Sequence, residues 1–252
     1  MNYLAIDTSG SRLTVAAKFG EKRVLRSRDD CKTGHAAFLM DEIDETLEML
    51  ETDVSKMDFI ACVIGPGSFT GIRIGVATVK ALCFAYNKPA LALTSFDVLA
   101  YNDFESENKV CLINAMHGNF YVQAFRGFIP VSAPAFLSEG EIDEKYADYK
   151  KIADCDCETF NVKATDCARC FVCAVEKEYL KAIESAESFS FGETGVRGAV
   201  FENGKPGAGF ENGGNGKTGD EAQNLKNKKL IGGDLLSPLY VKKSQAEEEL
   251  CK

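Results

Sequence analysis

Residues 65 to 75 read Gly65-Pro66-Gly67-Ser68-Phe69-Thr70-Gly71-Ile72-Arg73-Ile74-Gly75. This run follows an apolar, strand-like stretch at 59–64 and opens an apolar segment that ends near Tyr86. Pro66 and Gly67 break the strand. Ser68 suits a helix N-cap, because its hydroxyl accepts from the free amides of the first turn. Gly67, Gly71 and Gly75 recur every four residues, so one ridge of the predicted helix 68–86 carries no side chains. Each interior glycine costs about 1 kcal/mol of helix stability relative to alanine. Such a ridge implies another backbone pressed against it, either at a crowded junction of the same chain or on a second molecule.

The flanking pattern places this helix in an α/β unit. Residues 2–7, 12–18 and 22–27 read as an antiparallel meander, with a turn at Phe19-Gly20-Glu21. From 34 to 50 the period becomes helical: Leu39, Ile43, Leu47 and Leu50 share one face, and Asp41, Glu42, Asp44, Glu45 and Glu48 mark the wet side. A strand at 90–93 follows Pro89, and Ser95 is the expected cap of a short helix ending near Tyr101. The order is β-β-β-α-β-α-β-α. Strands at 109–114 and 119–125, joined across His117-Gly118, open what reads as a second copy of the unit, with the duplication point near residue 105. Helices are expected at 139–149 and 176–188, and a strand at 171–175. Residues 192–229 are rich in Gly, Asn and Lys and predict a flexible insertion. Order is expected again at 230–241, before a charged, frayed tail.

The chain has 252 residues, 45% hydrophobic, and a formal net charge of −9. It is long enough for one large domain or two lobes. Its acidity argues against gripping nucleic acid alone, since phosphate contacts rely on Lys and Arg. No signal peptide is visible, and no apolar run is read as long enough to span a bilayer. The expected setting is soluble and cytoplasmic. There, the ten cysteines should be thiols.

Several constellations carry possible chemistry. Asp7-Thr8-Ser9 ends the first strand; its hydroxyls and amides could face a nucleotide phosphate, or Asp7 could simply cap a turn. Gly65-Pro66-Gly67 before a helix resembles an anion site but lacks the Lys of a Walker loop. Arg73 and Lys80 lie seven apart, hence on one face, either a basic stripe for an acidic partner or a solvent face. Ala77, Ala81 and Ala85 form a second small-residue ridge suited to close helix contact. Cys155, Cys157, Cys167, Cys170 and Cys173 could hold zinc or an iron–sulfur cluster, but the first pair has only one residue between its members and packing thiols are the alternative. His35 and His117 are the only histidines. No Gly-x-Ser-x-Gly nucleophile elbow and no His pair at helical spacing is present.

These residues together resemble the TsaB (YeaZ) family. The resemblance rests on Leu4-Ala5-Ile6-Asp7-Thr8-Ser9, on Gly34-His35 opening an acidic helix, and on the 65–75 run. Lys88-Pro89, Thr94-Ser95 and the closing Pro238-Leu239-Tyr240-Val241-Lys242-Lys243 add to it. It is near continuous over 2–101, thins over 109–126 and resumes at 231–246.

The resemblance implies the actin/hexokinase-like (ASKHA) fold, with two lobes of mixed sheet and flanking helices, here residues 1–104 and 105–252. It implies a non-catalytic subunit of the complex that forms N6-threonylcarbamoyladenosine at position 37 of tRNAs reading ANN codons. Such a subunit binds TsaD, helps recruit TsaE, meets tRNA only through the complex, and pairs with itself when the partner is missing. No catalytic residue, metal or cofactor follows from it; Asp7, Thr8 and Ser9 remain nucleotide-facing candidates. The implied partner-facing residues are His35, Phe38, Met40, Gly71, Arg73, Gly75 and Lys80. The second lobe departs from the family pattern: Asn114-Ala115-Met116 stands where Asp-Ala-Arg is usual, which removes a carboxylate and a basic group. The competing readings are a metal-dependent glycoprotease-like peptidase, an ASKHA-type ATPase, and a metal or redox module on Cys155–Cys173.

Overall fold

A computed structural model describes residues 1–29, 31, 34–188 and 230–241. The insertion expected at 192–229 and the charged tail lie outside the described residues.

The first sheet starts with the expected meander, β1 (Tyr3–Asp7), β2 (Leu13–Phe19) and β3 (Lys22–Arg28), all antiparallel. β4 (Phe59–Val63) and β5 (Ala90–Leu93) then add parallel to β1 and to each other. Both read as unbroken apolar runs because the sheet is covered on both faces. The short strand β11 (Leu230–Ile231) closes the β5 edge, giving the order β11-β5-β4-β1-β2-β3. The second sheet joins β6 (Asn108–Asn114), β7 (Asn119–Arg126), β8 (Ile129–Pro130) and β9 (Ala135–Ser138), with β10 (Lys150–Ala153) parallel to β6. It thus also opens with a meander and adds a strand parallel to its first.

Among the described residues, five α-helices complete five layers. α1 (His35–Met49) and α2 (Phe69–Tyr86) cover one face of the first sheet, where Leu39, Ile43, Ile72, Val76 and Val79 meet Leu4, Ile6, Val15 and Ile60. α3 (Ser95–Ala100) and α5 (Cys167–Ser188) cover the other, against Tyr3, Ala5, Phe59 and Ala61. The alternation of β1, with Leu4 and Ile6 one way and Tyr3 and Ala5 the other, feeds both cores. α3 also packs Phe96 and Leu99 on the second sheet, whose outer face is covered by α4 (Glu139–Lys145) through Ile142.

Five expectations change. The cap of α3 is Thr94, not Ser95: Thr94 Oγ1 accepts from the Asp97 amide at 3.0 Å, and the Asp97 carboxylate accepts from the Thr94 amide at 2.8 Å. α4 is shorter than 139–149 and ends at Lys145. α5 begins at Cys167, so the strand expected at 171–175 is helical; Phe171, Ala174, Val175 and Glu178 follow helical spacing and are buried. α5 and β11 pack on the first sheet, although both fall beyond residue 105 in the expected second lobe. Finally, α2 is by length and composition apolar enough to cross a bilayer, with mean hydropathy 1.3. Here it lies on the sheet, with Ile72, Val76, Val79 and Cys83 in the core.

Candidate functional site: a closed strand–helix junction and an open helix face

The end of β1 and the start of α2 meet in a closed polar junction. The Ser68 amide donates to the Ser9 carbonyl at 2.6 Å, and Thr8 Oγ1 donates to the Gly71 carbonyl at 2.7 Å. A Cβ on Gly67 would overlap the Ser9 carbonyl, one on Gly71 the Thr8 carbonyl, and one on Gly75 the Thr8 hydroxyl. The bare ridge of α2 is therefore filled by the chain's own first strand. Ser68 caps α2 as expected, accepting from the Gly71 amide at 3.2 Å.

The same junction takes up the groups that could face a phosphate. The Ser9 amide and hydroxyl donate to Asp7 Oδ1 at 2.8 and 2.7 Å. Ser95 donates from its amide to the Gly65 carbonyl at 2.9 Å and from its hydroxyl to the Pro66 carbonyl at 2.7 Å. Burial pushes the Asp7 carboxyl above its ordinary value, and the bonds from Ser9 partly oppose this. Asp7, Thr8 and Ser9 are brought together, but as a turn that satisfies itself. The bonds from Ser9 to Asp7 make this an Asx-type turn.

The partner-facing candidates separate into two groups. Gly71 and Gly75 are buried beneath Thr8, so neither lies on the outer surface of α2. His35 is only 2% exposed, with Nε2 buried and unpartnered. The others reach the surface. Met40 is 47% exposed. Phe38 lies beneath the Arg28 guanidinium, 4.5 Å from the ring centre. Arg73 stacks on Phe69 at 3.8 Å and donates to the Tyr240 hydroxyl at 3.0 Å. Lys80 is half-buried. The open ridge of α2 is Ala77, Ala81 and Ala85, crowned by Phe84 at 92% exposed. Phe84 was not among the sequence candidates; its signal is its offset from the core positions Val76, Val79 and Cys83 on an otherwise apolar helix.

In the second lobe Asp154, at the end of β10, accepts from the Asn114 amide at 2.9 Å. Burial raises its pKa to about 6. Nothing in the sequence singled it out, because a lone Asp after an apolar run reads as a strand end. Nearby, Asn114, His117, Glu139, Cys155, Cys157 and Thr159 border a hollow of about 310 Å³. Cys167, Cys170 and Cys173 lie elsewhere, on α5. Among the described residues no group of three or more His, Cys, Asp or Glu is arranged to hold a metal ion, and the described cysteines are free thiols.

Among the described residues, two mixed sheets, each opening with an antiparallel meander, and helices in five layers give the ASKHA-like fold that the sequence resemblance implies. A solved protein with similarity to peptidase YeaZ from Pseudomonas aeruginosa shares this fold at TM-score 0.61 and 18% identity, over 96% of this chain and 99% of that one. YeaZ from Pseudomonas aeruginosa superposes at TM-score 0.50 and 27% identity, over 54% of this chain and 66% of that one.

Residues 29–136 match the family described as TsaD, tRNA N6-adenosine threonylcarbamoyltransferase. The tRNA threonylcarbamoyladenosine biosynthesis protein TsaB of Haemophilus influenzae is 30% identical over 125 residues, which is 48% of this chain and 52% of that protein. TsaB of Bacillus subtilis is 30% identical over 130 residues, 50% of this chain and 56% of that protein. Over the matched residues the chain is thus similar to TsaB (YeaZ) proteins. The match spans about half the length of these curated relatives.

Proposed function

We propose that this protein is a non-catalytic subunit of the cytoplasmic machinery that forms N6-threonylcarbamoyladenosine at position 37 of tRNAs reading ANN codons. In this reading it binds a TsaD-type subunit through the exposed face of α1 and α2, and helps recruit TsaE. The observation that carries the reading is the contrast between the two sides of α2. Its inner ridge is closed onto the end of β1, where the Ser68 amide donates to the Ser9 carbonyl and the Thr8 hydroxyl to the Gly71 carbonyl. Its outer ridge, Ala77-Ala81-Ala85 with Phe84, faces water with nothing in the described chain covering it. An apolar helix face of this kind marks an interaction surface. The names of its relatives supply the pathway.

The net charge of −9 fits contact with tRNA through the complex rather than alone. With the partner missing, the same face would pair two copies of this chain, since an isologous contact hides the exposed apolar surface. The match to the TsaD description over 29–136 favours one rival, a transferase in its own right. With two histidines in the chain and no His pair on one helix, a TsaD-type metal site lacks its ligands.

Reconstitution of tRNA modification with cognate TsaD, TsaE and synthase, with and without this chain, tests the reading. Modification is expected to need the chain. Modification by the chain with the synthase alone would replace this reading with the transferase one. A bulky residue at Gly75 does not test the interface, because that position faces Thr8.

A further inference from the structure

Lys109 lies near the start of β6 and is 0% exposed. Its ammonium donates to the carbonyl of Ala100 at 3.4 Å and to that of Asp103, and sits 4.4 Å from the centre of the Phe128 ring. Ala100 is the last residue of α3, so the charge meets the negative end of that helix. Phe128, in the turn between β7 and β8, stacks on Tyr101 with ring centres 4.4 Å apart and planes 7° apart. The Tyr101 hydroxyl donates to Glu178 on α5 at 2.7 Å. Lys181, on the same helix, donates to Glu178 at 2.7 Å and to the Phe128 carbonyl at 3.3 Å.

These contacts form a closed circuit, and three of its links cross between the lobes: Lys109 to the end of α3, Phe128 to Tyr101, and Lys181 to the Phe128 carbonyl. The connecting segment is held on both sides. Asp103 Oδ1 accepts from the Glu105 and Ser106 amides at 2.8 and 2.9 Å, and the Gly127 amide donates to the Glu107 carbonyl at 2.6 Å. An ammonium is costly to bury. A sheet needs no lysine at this position for its own ladder, and both carbonyls that accept from this one, those of Ala100 and Asp103, lie outside the second sheet.

We propose that Lys109, Phe128, Tyr101, Glu178 and Lys181 are an inter-lobe clamp that holds the two sheets at one fixed angle. The protein then acts as a rigid body in which the two sheets do not move relative to each other. The clamp stands whether or not the proposed pathway role is correct.

Hydrogen–deuterium exchange and small-angle scattering on the full chain test it. Phe128→Leu removes the ring stacked on Tyr101, a link that crosses between the lobes. Lys109→Met removes the ammonium and keeps the stem; should it fail to fold, Phe128→Leu carries the test. With a clamp, exchange at 101–109, 127–131 and 177–184 rises together, by about tenfold or more, as for loss of a hydrogen bond to a charged group. β1 and β4 keep their wild-type rates, and the scattering distance distribution broadens. Unchanged exchange, a rise confined to the substituted segment, a uniform rise that includes β1 and β4, or unchanged scattering overturns the proposal.

Discussion

The hydroxyl of Thr8 donates to the carbonyl of Gly71 at 2.7 Å, joining residues 63 apart in the chain. Gly75, one turn further along α2, leaves room for the same hydroxyl. This contact decides which side of α2 is inside. A side chain at either glycine must displace the end of β1, and overpacking of this kind costs about 1–3 kcal/mol or more. Gly75→Val is therefore expected to lower the urea midpoint strongly, with a larger loss than any alanine-to-serine change at Ala77 or Ala81. An unchanged midpoint would show that the junction yields easily.

The outer ridge should behave in the opposite way. Phe84→Asp and Ala81→Arg lie on exposed positions and are expected to change stability by no more than about 0.5 kcal/mol. Both should weaken binding of a TsaD-type partner by about tenfold or more, as for truncation of an interface anchor. Calorimetry on the purified pair checks this. Full binding by both folded variants would remove the α2 face from the interface.

Two carboxylates give opposite pH dependences. Glu42 on α1 accepts from Arg26 at 2.7 Å and Arg28 at 2.9 Å. Burial alone would raise its pKa, but the two guanidinium bonds outweigh burial and hold it below the ordinary carboxylate value. Its contribution is complete above the unfolded value of about 4.3 and is lost as pH falls through the folded value. Glu42→Gln should therefore destabilise at pH 7 and matter less in acid.

Asp154 runs the other way, because burial raises it to about 6. The folded state then binds more protons between about 4 and 6, so this group's contribution falls as pH rises through that window. Asp154→Asn is expected to flatten the stability profile there and to be relatively more stabilising at pH 7 than at pH 4. Denaturation series at the two values separate the outcomes. An identical difference at both would show that Asp154 titrates normally.

The thiols should be quiet. Burial pushes the Cys62 and Cys111 thiols well up, and Cys83 to about 11. Because the thiolate is the nucleophile, native alkylation at pH 7.5 is expected to leave Cys62 and Cys111 unlabelled until denaturant is added. Mass spectrometry reads the labelled sites. Rapid native labelling of either would mean that the core opens readily.

Much of the first lobe was legible because its signals are local. Alternation and turn residues marked the β1–β3 meander, Ser68 marked the start of α2, and Leu39, Ile43 and Leu47 marked the buried face of α1. The second half was less legible. The cysteines of 167–173 drew attention to ligands, and the run 171–175 looked like a strand until packing against Tyr3 and Phe59 made it helix. β10 is a four-residue strand whose partner, β6, lies about forty residues earlier, and short parallel strands carry little local pattern.

Spacing along the chain determined that α2 has a bare ridge of glycines and a second ridge of alanines, since helical periodicity is a local property. Which ridge faces inward was settled only by where the end of β1 comes to rest. A hydroxyl and two carbonyls from residues 8 and 9 fill the glycine side, and close packing leaves room there for nothing else. The same long-range packing sent α5 back to the first sheet, a contact between segments far apart in sequence that no local pattern encodes.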